Sequence, residues 1–292
     1  QEIMRENKKT NAVQWMNDVS DYLNKPIPLP PILDLEKWIA DLRKRNSDLP
    51  RNSLIHEKKI SVIIPAWNEE EYIGTALDAL LQQSFPRNDF EIIVIDNVST
   101  DQTSTIARQR GADRVVFEPC KGTNSARQRG IQEAQGEIVA FLDADCVPPT
   151  DWLEKIYTTL HKRESKCAAI AGSYVFHVDP IDHIFFAQEA YRWIVMPAMA
   201  SIFGRVLQRG GVLIGGNFAS FRENFQRING LDTSYTFFGD DASIAKKFGE
   251  IGYVEFDPTL YVVTSDRRFL REGLIKTNWE YTKNFLKVMF HS

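Results

Sequence analysis

The chain has 292 residues and only three cysteines, Cys120, Cys146 and Cys167. Such an odd, sparse set without metal-ligand spacing points to free thiols in a reducing compartment rather than to a disulfide framework. Nothing near Cys146 in the sequence resembles a nucleophile–base pair, so it reads as a bystander thiol. No stretch reaches the roughly eighteen uninterrupted apolar residues that span a bilayer. The longest candidate, WIVMPAMASIFG at 193–204, is too short. The start, QEIMRENKKT, lacks the apolar core of a signal peptide. These absences lead us to expect a cytoplasmic protein, with a peripheral position on the inner face of the cell membrane left open. There is no basic excess either: the formal net charge is −4, which argues against a nucleic-acid partner. Neither G-x-G-x-x-G after a strand nor G-x-x-x-x-G-K-[ST] occurs, so dinucleotide and P-loop sites lose their fingerprints. No internal repeat is visible.

What is present is a regular alternation. Residues 1–57 read as an extension or linker, polar and broken by KPIPLPP at 25–31. From residue 58, ISVIIP (60–65) is a short β-branched run ended by proline, the pattern of a buried strand. Ile73, Ala76, Leu77, Leu80 and Leu81 then fall on one helical stripe, with Asn68 and Glu71 spaced like a capping box. FEIIVID (90–96), DRVVFE and EIVAFLD continue the strands. DQTSTIARQR and residues 123–135 supply the helices between them. Pro148, Pro149 and Thr150 introduce a further helix bearing Trp152, Leu153, Ile156, Tyr157 and Leu160 on one side. Strand alternating with helix predicts an α/β, doubly wound and mostly parallel sheet. Such sheets bind ligands beyond the carboxyl ends of their strands. Here those ends carry Pro65, Trp67 and Asn68, then Asp96 and Asn97, then Asp143 and Asp145.

The pair Asp143 and Asp145 ends an apolar run on two like charges. Two carboxylates at i and i+2 of a strand exit can both reach a divalent cation, and oxygen ligands suit magnesium or manganese. A solvated turn with a helix-capping aspartate is the plainer alternative for an isolated D-x-D.

Four segments resemble the family-2 glycosyltransferases of the GT-A fold, in order and spacing. They are ISVIIPAWNEEEYIGTALDALLQQSF, FEIIVIDNVSTDQT, KGTNSARQRGIQEAQGEIVAFLDADCVPP and GGNFASFRENFQRINGLDTSYTFFGDDASIAKKFGEIG. The resemblance spans about residues 58–265. It implies a Rossmann-like nucleotide-binding half followed by an acceptor half, as one domain over 58–271. Pro65, Ala66, Asn68 and Glu69 match a nucleotide-binding P-x-x-N-E loop. Asp96 matches a base contact, and Asn97 stands where many members carry a second aspartate. Ser99 and Asp101 match an S-T-D segment of the nucleotide site, with helix capping as their plainer role. Lys121, Gly122 and Arg127 fall in the loop and helix facing the nucleotide diphosphate, and GGN at 215–217, with Gly216 and Asn217, matches the segment lining the donor sugar, where glycines allow close backbone approach. Asp143, Ala144 and Asp145 match the D-x-D that holds the metal, with Asp266 a further candidate ligand. Asp240 and Asp241 match an acidic pair whose second member is the catalytic base, and Ser243 departs from a frequent acidic residue. No [QR]-x-x-R-W follows Asp241, which implies one sugar per encounter.

The implied activity is an inverting, metal-dependent transfer of one sugar from a nucleoside-diphosphate sugar, with UDP favoured over GDP. The acceptor is a hydroxyl of a lipid-linked or glycan molecule, and the cofactor is Mn2+ or Mg2+. A catalytically inactive nucleotide-sugar-binding protein of the same fold is the alternative. A Rossmann oxidoreductase shares the fold class but lacks its glycines. Outside the motifs, residues 182–207 are strongly apolar. Residues 272–292 place Leu274, Ile275, Trp279, Phe285, Leu286, Met289 and Phe290 on one helical arc bordered by Lys276, Lys283 and Lys287. That pattern suits an amphipathic helix on an anionic membrane. Packing on the core or against a homodimer partner is the competing explanation.

Overall fold

The computed structural model describes residues 58–162, 166–176, 189–235, 239–265, 267, 283–285 and 287–290. The extension at 1–57, most of the tail at 272–292, and Asp266 lie outside the described residues.

The elements follow the alternation read from the sequence. Strands β1 (Ile60–Ala66), β2 (Phe90–Asp96), β3 (Arg114–Phe117) and β4 (Ile138–Leu142) are separated by helices α1 (Ile73–Leu81), α2 (Thr103–Gln109) and α3 (Thr123–Glu133). Then come β5 (Cys146–Val147), α4 (Trp152–Lys162), β6 (Cys167–Phe176), a helical run centred on α5 (Met196–Ser201), β7 (Asn217–Phe221), α6 (Arg222–Arg227), α7 (Asp240–Phe248) and β8 (Tyr253–Thr264). They form one eight-stranded sheet in the order β3-β2-β1-β4-β7-β6-β8-β5.

Strands β1 to β4 pair in parallel, with Ala66 beside Asp96 and Ile63 beside Phe141. Their carboxyl ends therefore share one edge. Strand β7 runs antiparallel to β4 and sets Asn217 opposite Leu142, so its amino end reaches the same edge. Strands β6 and β8 extend the sheet in parallel, and β5 closes it antiparallel to β8. These later strands carry no strand-helix rhythm, which is why the sequence pattern ran out after α4.

Period-two alternation divides the core. Ile63, Ile93, Ile95, Val139 and Phe141 face one layer with α3, α6 and α7. Val62, Ile64, Ile92, Val94 and Leu142 face the other with α1 and α4. Phe141 stacks on Phe218 at 4.5 Å between ring centroids and meets Phe225 edge-on. Burial of each such ring contributes about 1.5–3 kcal/mol.

Three local expectations change. Leu81 is exposed at the end of the α1 stripe, whereas Ile73, Ala76, Leu77 and Leu80 are buried as the spacing predicts. The Asn68–Glu71 capping box does not form: α1 begins after Tyr72 with no side-chain cap. Asn68 takes a left-handed backbone, φ 55°, and its side-chain oxygen accepts from the Thr100 amide in the 98–100 loop. Within the tail, Val288 and Met289 are buried in the core and Phe285 packs against it, while Phe290 is exposed. At those residues core packing replaces the expected continuous membrane-facing arc.

Candidate active site

A cavity of about 1000 Å³ opens at the shared strand edge. The β1 end contributes Pro65 and Ala66, followed by Trp67, Asn68 and Glu69; α3 and the loop before it contribute Lys121, Gly122 and Arg127. The β4 exit supplies Asp143, Ala144 and Asp145, and β6 supplies Tyr174. Gly216 precedes β7, Asp240 and Asp241 open α7, and Arg267 follows β8. Residues about two hundred positions apart thus meet because the carboxyl ends of the parallel strands share an edge with the amino end of β7.

Two loops are locked to each other beside the β1 exit. The Asn68 amide donates to Ser99 Oγ at 3.1 Å, and the Thr100 amide donates to Asn68 Oδ1 at 2.8 Å. The Glu69 amide donates to Thr103 Oγ1, and the Glu70 amide to Asp101 Oδ2. Asp96 lies behind this lattice, accepting from the Ser99 amide at 2.9 Å and the Ser104 hydroxyl at 2.5 Å. Asp96 and Ser99 consequently do not line the cavity, and both act as loop anchors in this geometry. Asn217 is also set back: it is fully buried, accepts from Trp152 Nε1, and donates to the Ser173 and Leu260 carbonyls.

The Asn97 departure has a physical reason. Its side-chain amide donates to the Glu118 and Cys120 carbonyls at 3.0 and 2.8 Å, and its oxygen accepts from the Gly122 amide. An aspartate could not donate to those carbonyls. Ser243 likewise returns its hydroxyl to the Asp240 carbonyl at 2.7 Å, within α7. At the cavity mouth, Lys121 Nζ sits 3.7 Å from the centroid of the exposed Trp67 ring, a cation–π contact.

The cavity floor is an ion network around Arg127, which is buried on α3. Its guanidinium donates to Asp240 Oδ2 at 2.9 Å and lies 3.6 Å from both Asp241 Oδ1 and Asp143 Oδ1. Three carboxylates hold its pKa above the ordinary value despite burial. Tyr174 donates its hydroxyl to Asp143 Oδ2 at 2.5 Å, and burial followed by the Asp143 charge pushes its own pKa well up.

Burial raises Asp240, with Arg127 opposing. Burial and then the Asp240 charge push Asp241 up to about 8. The Asp241 side chain is 34% exposed to the cavity, so water screens part of that push. Both aspartates occupy the first turn of α7, and neither caps it: Gly239 takes the cap position.

A second network joins the metal-type motif to the end of β8. Arg267 Nη2 lies 2.6 Å from Glu69 Oε1 and 3.0 Å from Asp145 Oδ2, with its guanidinium over the Tyr72 ring. Burial pushes Glu69 up to about 7 against the pull of Arg267. Burial also raises Asp145. Cys146, fully buried beside it, has its thiol pushed well up by burial, which suits an inert structural residue.

Gly215 and Gly216 permit the closest approach. A Cβ on Gly215 would stand 2.1 Å from Asp241 Oδ1, and one on Gly216 would stand 2.2 Å from the Asp143 carboxyl. Tyr174 escaped the sequence reading as a site residue because it lies on a strand outside the repeating pattern, whereas the glycine pair at 215–216 takes the close approach its sequence implied.

The comparisons agree with this architecture. The family model described as Glycosyl transferase family 2 matches residues 61–228. A glycosyltransferase of Haloferax volcanii, AglE, is 40% identical over 106 residues, covering 35% of this chain and 35% of that protein. A Methanococcus voltae dolichyl N-acetyl-α-D-glucosaminyl phosphate 3-β-D-2,3-diacetamido-2,3-dideoxy-β-D-glucuronosyltransferase is 32% identical over 123 residues, covering 39% of this chain and 38% of that protein. The match thus spans little more than a third of these curated relatives. Among solved structures, the Pyrobaculum calidifontis mannosyltransferase PcManGT in complex with GDP-Man and Mn2+ superposes with TM-score 0.57 at 21% identity. It covers 98% of this chain and 78% of that one. Glucosyl-3-phosphoglycerate synthase of Mycobacterium tuberculosis, with Mn2+, UDP and phosphoglyceric acid, gives TM-score 0.55 at 22% identity, covering 80% and 79%. The structural likeness establishes a GT-A glycosyltransferase fold. With the family model matching more than half its length, the chain belongs to glycosyl transferase family 2.

Proposed function

We propose that the protein is an inverting, divalent-cation-dependent glycosyltransferase moving one sugar from a nucleoside-diphosphate sugar to an acceptor hydroxyl. A UDP-sugar is the favoured donor and a lipid-linked or glycan molecule the favoured acceptor. The observation that carries this reading is the convergence of Asp143, Asp145 and Asp241 on one cavity, tied by Arg127 at 3.6 Å to both Asp143 and Asp241.

The donor set suits a hard cation. Asp143 and Asp145 present carboxylate oxygens to the cavity, and Glu69 Oε2 beside them is buried with no hydrogen-bond partner among the described residues. Two carboxylates leave most positions on such a cation open, and diphosphate oxygens would fill them. Mg2+ sites commonly combine one or two carboxylates with substrate phosphates. A bound Mn2+ or Mg2+ supplies charge neutralisation for the departing nucleoside diphosphate.

In this reading Asp241 accepts the proton of the acceptor hydroxyl as that oxygen attacks the anomeric carbon. The nucleoside diphosphate leaves from the opposite face, and a single displacement inverts the configuration. A carboxyl pushed up to about 8 is a stronger base than an ordinary one, close to the pH at which general bases work best. Arg127 fixes Asp240 and keeps the α7 start against Asp143. Lys121 and Arg267 are the cations available to the diphosphate. Of the relatives above, the Methanococcus protein is named for a dolichyl-linked acceptor, which supports a lipid-linked acceptor here. The test is the Asp241→Asn variant: donor binding should persist and transfer should disappear. Retained transfer would exclude Asp241 as the base.

A further inference from the structure

Residues 189–206 form one continuous helical run whose winding changes three times. Tyr191–Val195 and Ile202–Val206 are π-helical, and Met196–Ser201 between them is α-helical. The buried positions are Arg192, Met196, Ala200 and Gly204, spaced four residues apart without drift. An α-helix of 3.6 residues per turn would rotate such a stripe off the core, whereas π turns close i to i+5 and hold more residues per turn. The mixed winding keeps one narrow stripe on the core and presents the whole opposite face outward.

That outward face is apolar. Tyr191, Ile194, Val195, Ile202 and Val206 are exposed, Ile194 by 68% and Val206 by 72%. Trp193 and Leu207, also exposed, flank it. Phe290 extends it, with its ring 6.1 Å from Phe203 on the run and beneath the Arg209 guanidinium. Isolated exposed apolar residues are ordinary, but a continuous set of this size marks an interaction surface.

The border of the face is basic. Lys283 and Lys287 are exposed on the short tail helix whose Phe285 packs edge-on against Phe203. Arg205 is 55% exposed and paired with Glu255, whose side chain is 19% exposed, so the cation is the group presented to solvent. Glu189 at the other end is occupied by Arg192 and Trp193.

We propose that this face seats the protein on an anionic membrane surface. The aromatic and aliphatic side chains enter the interface, and Arg205, Lys283 and Lys287 lie against lipid headgroups. A second copy of the chain fits less well, because a two-fold pairing of the face sets like charges against each other. The docking inference does not depend on the catalytic assignment, since its test reads no turnover.

The test is flotation of the full chain with phosphatidylcholine vesicles, with and without phosphatidylglycerol, alongside sedimentation without lipid. The wild type should float with the anionic vesicles. Ile194→Glu with Val206→Glu should lower the bound-to-free ratio by at least about tenfold, while leaving the melting temperature and nucleotide binding unchanged. Lys283→Gln with Lys287→Gln should weaken anionic-vesicle binding and leave weak neutral-vesicle binding unaltered. Absence of wild-type flotation, or flotation indifferent to the Ile194/Val206 pair, overturns the proposal. So does a wild-type dimer that dissociates in that variant without any vesicle binding, which would reassign the face to a contact between copies.

Discussion

At the residue scale, the site is organised by two arginines whose carboxylate partners are all distant in sequence. Arg127 faces Asp143, Asp240 and Asp241 from within the core. Replacing it with methionine leaves three carboxylates without their counter-charge, and breaking a buried pair in this way costs about 3–5 kcal/mol. Chemical denaturation of Arg127→Met should show a loss of that size, and Arg127→Lys should recover little, because an ammonium cannot match the guanidinium fork. Asp241→Asn should behave oppositely. Its rate of transfer should fall by roughly 10²–10⁴-fold while nucleotide affinity holds. Burial lifts the Asp241 pKa from 3.8 to about 8, so folding favours its protonated form. The stability that protonation contributes is complete below the ordinary carboxylate range and is lost as pH rises through about 8. The melting temperature of Asp241→Asn, compared with wild type, should therefore gain steadily from mildly acidic pH to about 8. A constant difference across that range would show that the carboxyl is not strained by burial.

At the scale of elements, the sequence disclosed most where its periodicity was strong. Strands β1, β2 and β4 were legible because they bury both faces and so read as continuous apolar runs, helices α1 and α4 because each buries one apolar stripe, and α2 and α3 because they fill the intervals between strands. So was the shared edge carrying Pro65, Asn97, Asp143 and Asp145, since parallel strands must end together. The later strands were not legible: β6 to β8 mix parallel and antiparallel pairing, and no connection rhythm announces them. Residue identity also hid function of a different kind. Asp96, Ser99 and Asn217 occupy ligand positions in their motifs, and in this geometry they also hydrogen-bond within and between the loops and strands around the site. Asn97, which stands where many family members carry a second aspartate, clamps the 118–122 loop. Asn97→Asp should accordingly destabilise the protein by about 0.5–1.5 kcal/mol, the net worth of a hydrogen bond to partly exposed carbonyls. If that variant melts like the wild type, the clamp assignment is wrong. Gly216→Ala probes the other crowded element. A Cβ there meets Asp143 at 2.2 Å, and displacing that carboxylate by about an ångström should cut turnover on the order of 10²-fold while the fold survives.

For the whole molecule, the sheet brings a nucleotide-type crevice, an acidic pair and the start of α7 to one edge, while the helical run at 189–206 leaves an apolar face open elsewhere. The family and the fold rest on the match over residues 61–228 and on the superposition with GT-A structures. What this chain adds is the reading that Asp143 and Asp145 hold a nucleoside diphosphate through a divalent cation. Binding to the folded state raises stability by about 2.7 kcal/mol at a hundredfold excess over Kd, so a nucleotide panel with manganese in a thermal melt will identify the base. Titration calorimetry of the best nucleotide, with manganese and with chelator, against wild type and Asp145→Asn, tests the central claim most directly. The account predicts tight binding by wild type with manganese, near-complete loss with chelator, and the same loss in Asp145→Asn with its melting temperature intact. Equal affinity in all four conditions would contradict it.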